Sequence, residues 1–114
     1  EYIFPITELI SENEFFDYDA KYKGLAKEVT PAQLAPELVK KINRMTLDAY
    51  KALNCRGVVR IDFIVKGEDP YLIEINSIPG MSAHSIIPQQ ARQIGMSVSE
   101  LYDIIIEDTY QCAK

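Results

Sequence analysis

Two strand-like segments joined by a short turn constrain this chain more than any other feature. Residues 58–65 and 71–76 are rich in β-branched residues, which favour strands. Residues 66–70 between them include Gly67 and Pro70, and both residue types are typical of turns. The pattern predicts an antiparallel β-hairpin closed by a five-residue turn.

Side-chain alternation places a polar patch on one face of this hairpin. Residues two apart in a strand share a face, and we expect Val65 to pair with Tyr71 across the turn. That register places Asp62 opposite Glu74 and Arg60 opposite Asn76. The other face is apolar and must pack on a core; it consists of Ile61, Phe63, Ile73 and Ile75.

The two facing carboxylates, Asp62 and Glu74, indicate a cation site. They repel each other and destabilise the hairpin unless a cation lies between them. Two carboxylates and an amide oxygen suit Mg²⁺, which keeps positions for waters and nucleotide phosphates. Arg60 beside them can neutralise negative charge that develops on a reacting group. The residues alone leave an alternative, a solvated polar face on which Arg60 pairs with both acids.

A helix is predicted directly before the hairpin. Thr30 can act as its N-cap, Pro31 fits the first helical position and Gln33 completes a capping-box pattern. The end of the helix is predicted at Asn54 and Gly57. Apolar residues recur every three or four positions and form one stripe, which consists of Leu34, Leu38, Ile42, Met45, Ala49 and Leu53.

The remaining elements complete an α+β piece with an antiparallel sheet. Strands are predicted at residues 2–6 and 8–10, a loop at residues 12–27 and a short helix at residues 88–94. Ser97 and Glu100 form a second capping box, which begins a last helix that runs to about Tyr110.

Composition limits the class of protein. A length of 114 residues with 47% hydrophobic and 25% charged residues indicates one globular domain. The net charge of −5 argues against sequence-independent nucleic-acid binding, which needs a basic surface. No apolar run approaches the ~18 residues that cross a bilayer, so no membrane association is predicted. Cys55 and Cys112 have no metal-binding spacing and are expected to be free, mostly buried thiols, as suits a reducing cytosol.

Several short motifs, taken in order, resemble those of D-alanine–D-alanine ligases. The motifs are Arg-Ile-Asp-Phe at residues 60–63, Glu-Ile-Asn at 74–76, Pro-Gly-Met at 79–81 and His-Ser at 84–85. Residues 17–22 also resemble the mobile loop of those enzymes. Motifs in matching order extend from about Phe15 to Leu101, which is most of the chain. One Glu-x-Asn motif would be weak evidence, but the ordered set is specific.

The resemblance implies a nucleotide site. These ligases are ATP-grasp enzymes, in which two α+β subdomains hold ATP between them, and this chain is similar to the carboxy-terminal subdomain. By resemblance, Asp62, Glu74 and Asn76 bind two Mg²⁺ (or Mn²⁺) ions that bridge the ATP phosphates. Lys21 in the mobile loop would reach an ATP phosphate, and Tyr22 would help to cover the substrate.

The resemblance also implies catalytic roles. The family activates one D-alanine as an acyl phosphate, and the amine of a second D-alanine then attacks to give the dipeptide used in peptidoglycan. Arg60 and the backbone N–H of Gly80 match the groups that stabilise the tetrahedral oxyanion. Ser85 matches the hydroxyl that holds the carboxylate of the second D-alanine. Without the resemblance, Gly80 is equally a simple turn residue and Ser85 equally a helix cap.

Residues 1–114 are therefore expected to be a carboxy-terminal ATP-grasp fragment. The family's amino-terminal substrate domain and first ATP-grasp subdomain have no counterpart here, so the isolated chain is expected to lack ligase activity. The family implies a cytoplasmic enzyme and a homodimer. Two alternatives stay open: a ligase that joins D-alanine to D-lactate or D-serine, and a non-catalytic interaction module that associates through its apolar face.

Overall fold

The computed structural model describes residues 3–10 and 27–112, apart from the side chain of Cys112, and these form four strands and three helices. In chain order the elements are β1 (Glu8–Ile10), β2 (Lys27–Val29), α1 (Pro36–Ala52), β3 (Arg60–Lys66), β4 (Asp69–Asn76), α2 (Ile86–Gln93) and α3 (Val98–Cys112). The α+β class with antiparallel sheets is confirmed. The predicted loop lies outside the described residues, except that Lys27 begins β2. In the described part of the chain, no helix is both long and apolar enough to cross a membrane.

The first sheet pairs β1 with β2 in antiparallel fashion, with Leu9 opposite Glu28. The strand predicted at residues 8–10 is confirmed. The strand predicted at residues 2–6 is wrong for its described part, because residues 3–6 form no strand. Pro5 lacks the N–H that a ladder needs. The carbonyl of Ile6 instead accepts a hydrogen bond from Ala32 N–H at 2.8 Å.

Helix α1 begins at Pro36, later than the capping-box pattern at Thr30 predicted. The predicted N-terminus is wrong because the preceding segment is held against β1. Ala32 N–H donates to Ile6, and Gln33 N–H donates to the Glu8 carboxylate at 3.2 Å. Proline at the first helical position costs no hydrogen bond, since the N–H of that position has no partner within the helix.

The apolar stripe and the end of α1 follow the prediction more closely. Ile42, in the middle of the stripe, is buried. Leu53 is the C-cap, and Asn54 follows it with a φ of 53°, in the left-handed region where asparagine is tolerated. The predicted end at Asn54 is therefore confirmed. Helix α1 lies against β4. Lys41 Nζ is 3.6 Å from the carboxylate of Asp69 at the start of that strand.

Strands β3 and β4 form the predicted hairpin, but its turn is shorter than expected. Only Gly67 and Glu68 lie outside the strands, and Gly67 has a φ of 65°. A glycine with positive φ at the first of two turn positions is typical of a type II′ turn. Val65 consequently pairs with Pro70, and the predicted pairing of Val65 with Tyr71 is wrong.

A β-bulge between the turn and the polar patch offsets the effect of the shorter turn on the register. The pairing shifts by one residue between Asp62 and Phe63. Phe63 pairs with Leu72, Asp62 pairs with Glu74, and Ile73 is the extra residue between them. Leu72 therefore takes the place that was predicted for Ile73 on the apolar face, and Ile73 is 55% exposed.

The small core lies between α2 and α3. Ile87, Ala91 and Leu101 are buried together. Half-buried apolar residues surround them: Phe4, Val58, Met81, Met96 and Ile105. Helix α2 begins two residues before the predicted start at Pro88. Proline is tolerated there because the first turn of a helix has no intrahelical partners for its N–H groups.

The capping box at the start of α3 is confirmed by both of its hydrogen bonds. Glu100 N–H donates to Ser97 Oγ at 3.1 Å, and Ser97 N–H donates to the Glu100 carboxylate at 3.3 Å. The helix runs past Tyr110 to Cys112. Cys55 is a free thiol, as predicted, but it is only half-buried rather than mostly buried. The side chain of Cys112 lies outside the described residues.

Candidate active site

The polar patch of the hairpin forms as predicted, with Asp62 opposite Glu74 and Arg60 opposite Asn76. Arg60 Nε donates to Asp62 Oδ1 at 2.9 Å, and Arg60 Nη2 donates to Asp62 Oδ2 at 3.1 Å. These two hydrogen bonds form a bidentate ion pair, the strongest arrangement for a guanidinium and a carboxylate. Arg60 Nη2 also lies 3.8 Å from Glu74 Oε1. One arginine therefore forms ion pairs with both facing acids.

Exposure differs across the patch. The side chains of Arg60 and Asp62 are 22% and 30% exposed, whereas that of Glu74 is 54% exposed. The hydrogen bonds to Asp62 raise the pKa of the Arg60 guanidinium, burial opposes the rise, and the charges of Asp62, Glu74 and Glu28 add to it. These contacts favour the charged form of Arg60. This pairing of Arg60 with both acids is the arrangement described above as the alternative to a metal site.

The donor set fits a magnesium ion that is shared with a nucleotide. No three His, Cys, Asp or Glu side chains come together among the described residues, so a metal cage made by the protein alone is not formed there. Mg²⁺ is typically bound by one or two carboxylates, with substrate phosphates and waters in the other positions. Asp62 and Glu74 supply the two carboxylates. Asn76 Oδ1 accepts from Ile78 N–H at 3.1 Å, and an amide oxygen has a second lone pair for a metal.

A second polar cluster lies in the loop between β4 and α2. Ser85 Oγ accepts a hydrogen bond from Ser82 N–H at 3.1 Å and is 2.7 Å from Ser82 Oγ. Gly80 lies against the same hydroxyl: a Cβ atom at Gly80 would be 2.9 Å from Ser85 Oγ. Real Cβ atoms do not approach so closely, so a larger residue at position 80 would displace the Ser85 hydroxyl from this position.

Helix α2 holds the same loop through its own side chains. Gln89 Nε2 donates to the carbonyl of His84 at 2.7 Å, and Arg92 Nη2 donates to the carbonyl of Ala83 at 2.8 Å. Ser85 is the N-cap residue of α2, but its hydroxyl makes no capping hydrogen bond. The interpretation of Ser85 as a simple helix cap is therefore wrong for its side chain.

Glu28 of β2 is a neighbour of both clusters that sequence reasoning missed. Its carboxylate accepts from Gln89 Nε2 at 2.9 Å, and its charge raises the pKa of Arg60. Ser82, Gln89 and Arg92 were also missed, although each of them contacts a residue at most nine positions away. Only Ser82, three positions before Ser85, had a sequence signal, because the sequence does not show which side chains turn back onto the loop. Lys21 and Tyr22 lie outside the described residues.

Solved structures with a similar fold are ligases. The D-alanine–D-alanine ligase of Bacillus anthracis complexed with ATP matches with a TM-score of 0.81 and 34% identity over 96% of this chain and 34% of its own. The VanG D-Ala:D-Ser ligase of Enterococcus faecalis matches with a TM-score of 0.77 and 34% identity, over 91% of this chain and 31% of its own. The fold is that of a carboxy-terminal ATP-grasp subdomain.

The sequence comparisons define the family. The family model described as "D-ala D-ala ligase C-terminus" matches residues 1–107. The D-alanine–D-alanine ligase of Bacteroides fragilis is 44% identical over 109 residues, which are 95% of this chain and 34% of the relative. The D-alanine–D-alanine ligase of Phocaeicola vulgatus is 46% identical over 111 residues, which are 96% of this chain and 34% of the relative. The chain belongs to the D-alanine–D-alanine ligase family, and it spans about a third of the length of these relatives.

Proposed function

We propose that this chain is the carboxy-terminal part of an ATP-dependent D-alanine–D-alanine ligase, which forms the D-Ala-D-Ala dipeptide for peptidoglycan through an acyl phosphate. The observation that carries the proposal is the pairing of Asp62 with Glu74 around the Arg60 guanidinium. This places two carboxylates and a fixed positive charge on one face of a hairpin, in a chain that matches the family over most of its length.

The first half of the proposed reaction uses the hairpin. Asp62, Glu74 and Asn76 would hold Mg²⁺ or Mn²⁺, which supplies positive charge to the phosphate oxygens of ATP. The carboxylate of one D-alanine attacks the γ-phosphorus, the bond from that phosphorus to the bridging oxygen of ADP breaks, and an acyl phosphate and ADP result. Arg60 lies within reach of the same acids, so its guanidinium can contact the transferred phosphoryl group.

The second half uses the loop before α2. The amine of the second D-alanine attacks the acyl carbon, and the tetrahedral intermediate then expels phosphate. In our proposal the Gly80 N–H and Arg60 stabilise the oxyanion. The Ser85 hydroxyl binds the carboxylate of the attacking D-alanine. Lys21 would contact an ATP phosphate, and Tyr22 would cover the substrate, so that water is kept from the acyl phosphate.

The activity requires more than these 114 residues. An ATP-grasp site lies between two subdomains, and this chain matches about a third of its relatives. We propose that an amino-terminal portion of the same enzyme supplies the first D-alanine site and the other wall of the ATP site. We further propose a cytoplasmic homodimer that binds neither nucleic acid nor membrane, since its substrates are small and these 114 residues carry a net charge of −5.

The proposal is tested by D-alanine-dependent ADP formation in the protein expressed from the complete reading frame that contains this chain. Asp62→Ala removes a metal ligand, so turnover should fall by roughly 100-fold or more, beyond what loss of an outer-shell group costs. Asp69→Ala is the matched control on the same hairpin. The Asp69 side chain is 68% exposed and forms an ion pair with the exposed Lys41, so turnover should stay within about twofold of wild type. Equal activity of the two variants would contradict the metal role.

A second candidate is a ligase with a different second substrate. The observation that favours it is the VanG D-Ala:D-Ser ligase, which matches at the same 34% identity as the Bacillus anthracis enzyme. Competition among D-alanine, D-serine and D-lactate over a pH series distinguishes the candidates. Preferential consumption of D-serine or D-lactate would keep the fold and overturn the substrate. Absence of any ATP turnover would instead favour a non-catalytic interaction module.

A further inference from the structure

We propose that Ser82 is a positioning residue, which orients the Ser85 hydroxyl so that its proton points to the substrate carboxylate. The inference rests on the proposed function, in which Ser85 binds the second D-alanine. Its evidence is separate, because it comes from the hydrogen bonds that converge on Ser85 Oγ.

The hydrogen-bond capacity of a hydroxyl limits what Ser85 can do. A serine hydroxyl has one proton to donate and two lone pairs that accept. Ser82 N–H can only donate, so it occupies one lone pair of Ser85 Oγ. Either oxygen can donate in the 2.7 Å contact between the two hydroxyls. If Ser82 Oγ donates, both lone pairs of Ser85 are occupied, and its proton is free for a bond outside the loop.

A carboxylate selects this orientation of the two hydroxyl groups. A hydrogen bond to an anion is about twice as strong as one between neutral groups. When a carboxylate approaches Ser85, donation by Ser85 to the anion and by Ser82 to Ser85 makes both contacts favourable. The opposite orientation would direct a lone pair of Ser85 at a negative charge. Donation by the Ser82 hydroxyl to Ser85 Oγ therefore orients the Ser85 proton toward the carboxylate.

The surrounding loop supports this assignment. The hydroxyl of Ser85 is not used to cap α2, so it remains available. Gly80 leaves room for it, since a Cβ there would be 2.9 Å from its oxygen. Gln89 and Arg92 fix the carbonyls of the two residues between Ser82 and Ser85. Ser82 is exposed and Ser85 half-buried, so a small ligand can reach the pair.

Two matched variants of the protein from the complete reading frame test the inference. Ser82→Thr keeps the hydroxyl, whereas Ser82→Val introduces a side chain with the shape of threonine and no hydroxyl. We expect Ser82→Val to raise the KM for the second D-alanine by about 10-fold, the size expected for one lost hydrogen bond. The KM for ATP should not change, and kcat should stay within about threefold. Ser82→Thr should restore the wild-type KM. Ser99→Ala, at an exposed serine in α3, should change nothing.

Each other outcome overturns the inference. An unchanged KM for the second D-alanine in Ser82→Val would show that the hydroxyl does not position Ser85. Equal defects in the valine and threonine variants would show a requirement for the size of serine. A parallel loss of kcat and of ATP affinity would indicate a general structural role. The wild-type assay tests the proposed function separately from the variants. If the wild-type protein does not use D-alanine at all, the proposed function and this inference both fail.

Discussion

At the scale of single residues, Arg60 combines an observed task with a proposed one. Its guanidinium holds Asp62 through two hydrogen bonds and lies near Glu74, the two acids that are proposed to bind a metal ion. It is also proposed to contact the reacting groups. A carboxylate has about four lone-pair sites, so Asp62 can keep its hydrogen bonds to Arg60 while it faces a metal ion, but the positive charges of arginine and metal repel each other. Arg60 is then a counter-cation of the two carboxylates whose charge opposes metal binding.

Removing this counter-cation should strengthen metal binding while it weakens catalysis. In Arg60→Met, Mn²⁺ no longer competes with a bidentate ion pair, so its affinity without nucleotide should rise by about 10-fold. D-alanine-dependent turnover should fall in the same variant. Electron paramagnetic resonance of free Mn²⁺ measures the affinity directly. Arg60→Lys is the control: it keeps the charge but cannot form the bidentate pair, so an intermediate affinity is expected. Weaker Mn²⁺ binding in Arg60→Met would contradict the competition.

At the scale of secondary-structure elements, local signals predicted more than non-local ones. The capping box of Ser97 and Glu100 depends only on neighbouring residues, and the structure contains both of its hydrogen bonds. The capping pattern at Thr30 has the same form but does not begin a helix. There, Ala32 and Gln33 bind residues more than 20 positions away. A propensity rule does not include such contacts.

Much of the candidate site could also be predicted from the sequence. Alternation alone places Asp62 and Glu74 on one face, and the resemblance adds Gly80 and Ser85. The register near the turn was predicted wrongly, yet the pairing of the acids was predicted correctly, because the bulge at Ile73 offsets the shorter turn. Neither a bulge nor a two-residue turn at Gly67 follows from alternation. The contact between Glu28 and Gln89 joins residues 61 positions apart, so it required the structure. The contact between Ser82 and Ser85 is local, but the loop geometry that forms it required the structure as well.

The capping box of α3 gives a stability prediction that is independent of function. Ser97→Ala removes the acceptor for Glu100 N–H and should lower the free energy of unfolding by about 1 kcal/mol. Urea denaturation of the protein from the complete reading frame measures the change. Ser99→Ala removes an exposed hydroxyl two residues further along and should have an effect below about 0.5 kcal/mol. Ligase activity should be unchanged in both variants. Equal stability of the two would exclude the cap as a stabilising contact.

At the scale of the whole molecule, few of the described residues are buried. The described core is small, and large apolar side chains are exposed on the hairpin, including Ile64, Tyr71 and Ile73. Groups of exposed apolar residues typically mark interaction surfaces. Because the chain matches about a third of its relatives, we interpret this surface as one that other parts of the enzyme cover.

The isolated polypeptide of 114 residues should therefore be inactive. Half of a nucleotide cleft cannot exclude water from ATP or hold both substrates, so D-alanine-dependent ADP formation should be undetectable. Binding of Mg-ATP should be weak, with a dissociation constant in the millimolar range or above, roughly −4 kcal/mol or less favourable. Isothermal titration calorimetry and a coupled ADP assay provide the two measurements. Turnover by this polypeptide alone would refute the requirement for a second subdomain.

The bulge has a consequence for how this hairpin can change during evolution. Ile73 pairs with no residue of β3, so its loss would join Leu72 to Glu74 and leave Asp62 opposite the same acid. A deletion anywhere between Glu74 and Asn76 would instead turn the following side chains to the other face. Insertions and deletions among homologues should therefore accumulate at position 73 and in the turn. The bulge is a place where chain length can vary while Asp62 stays opposite Glu74.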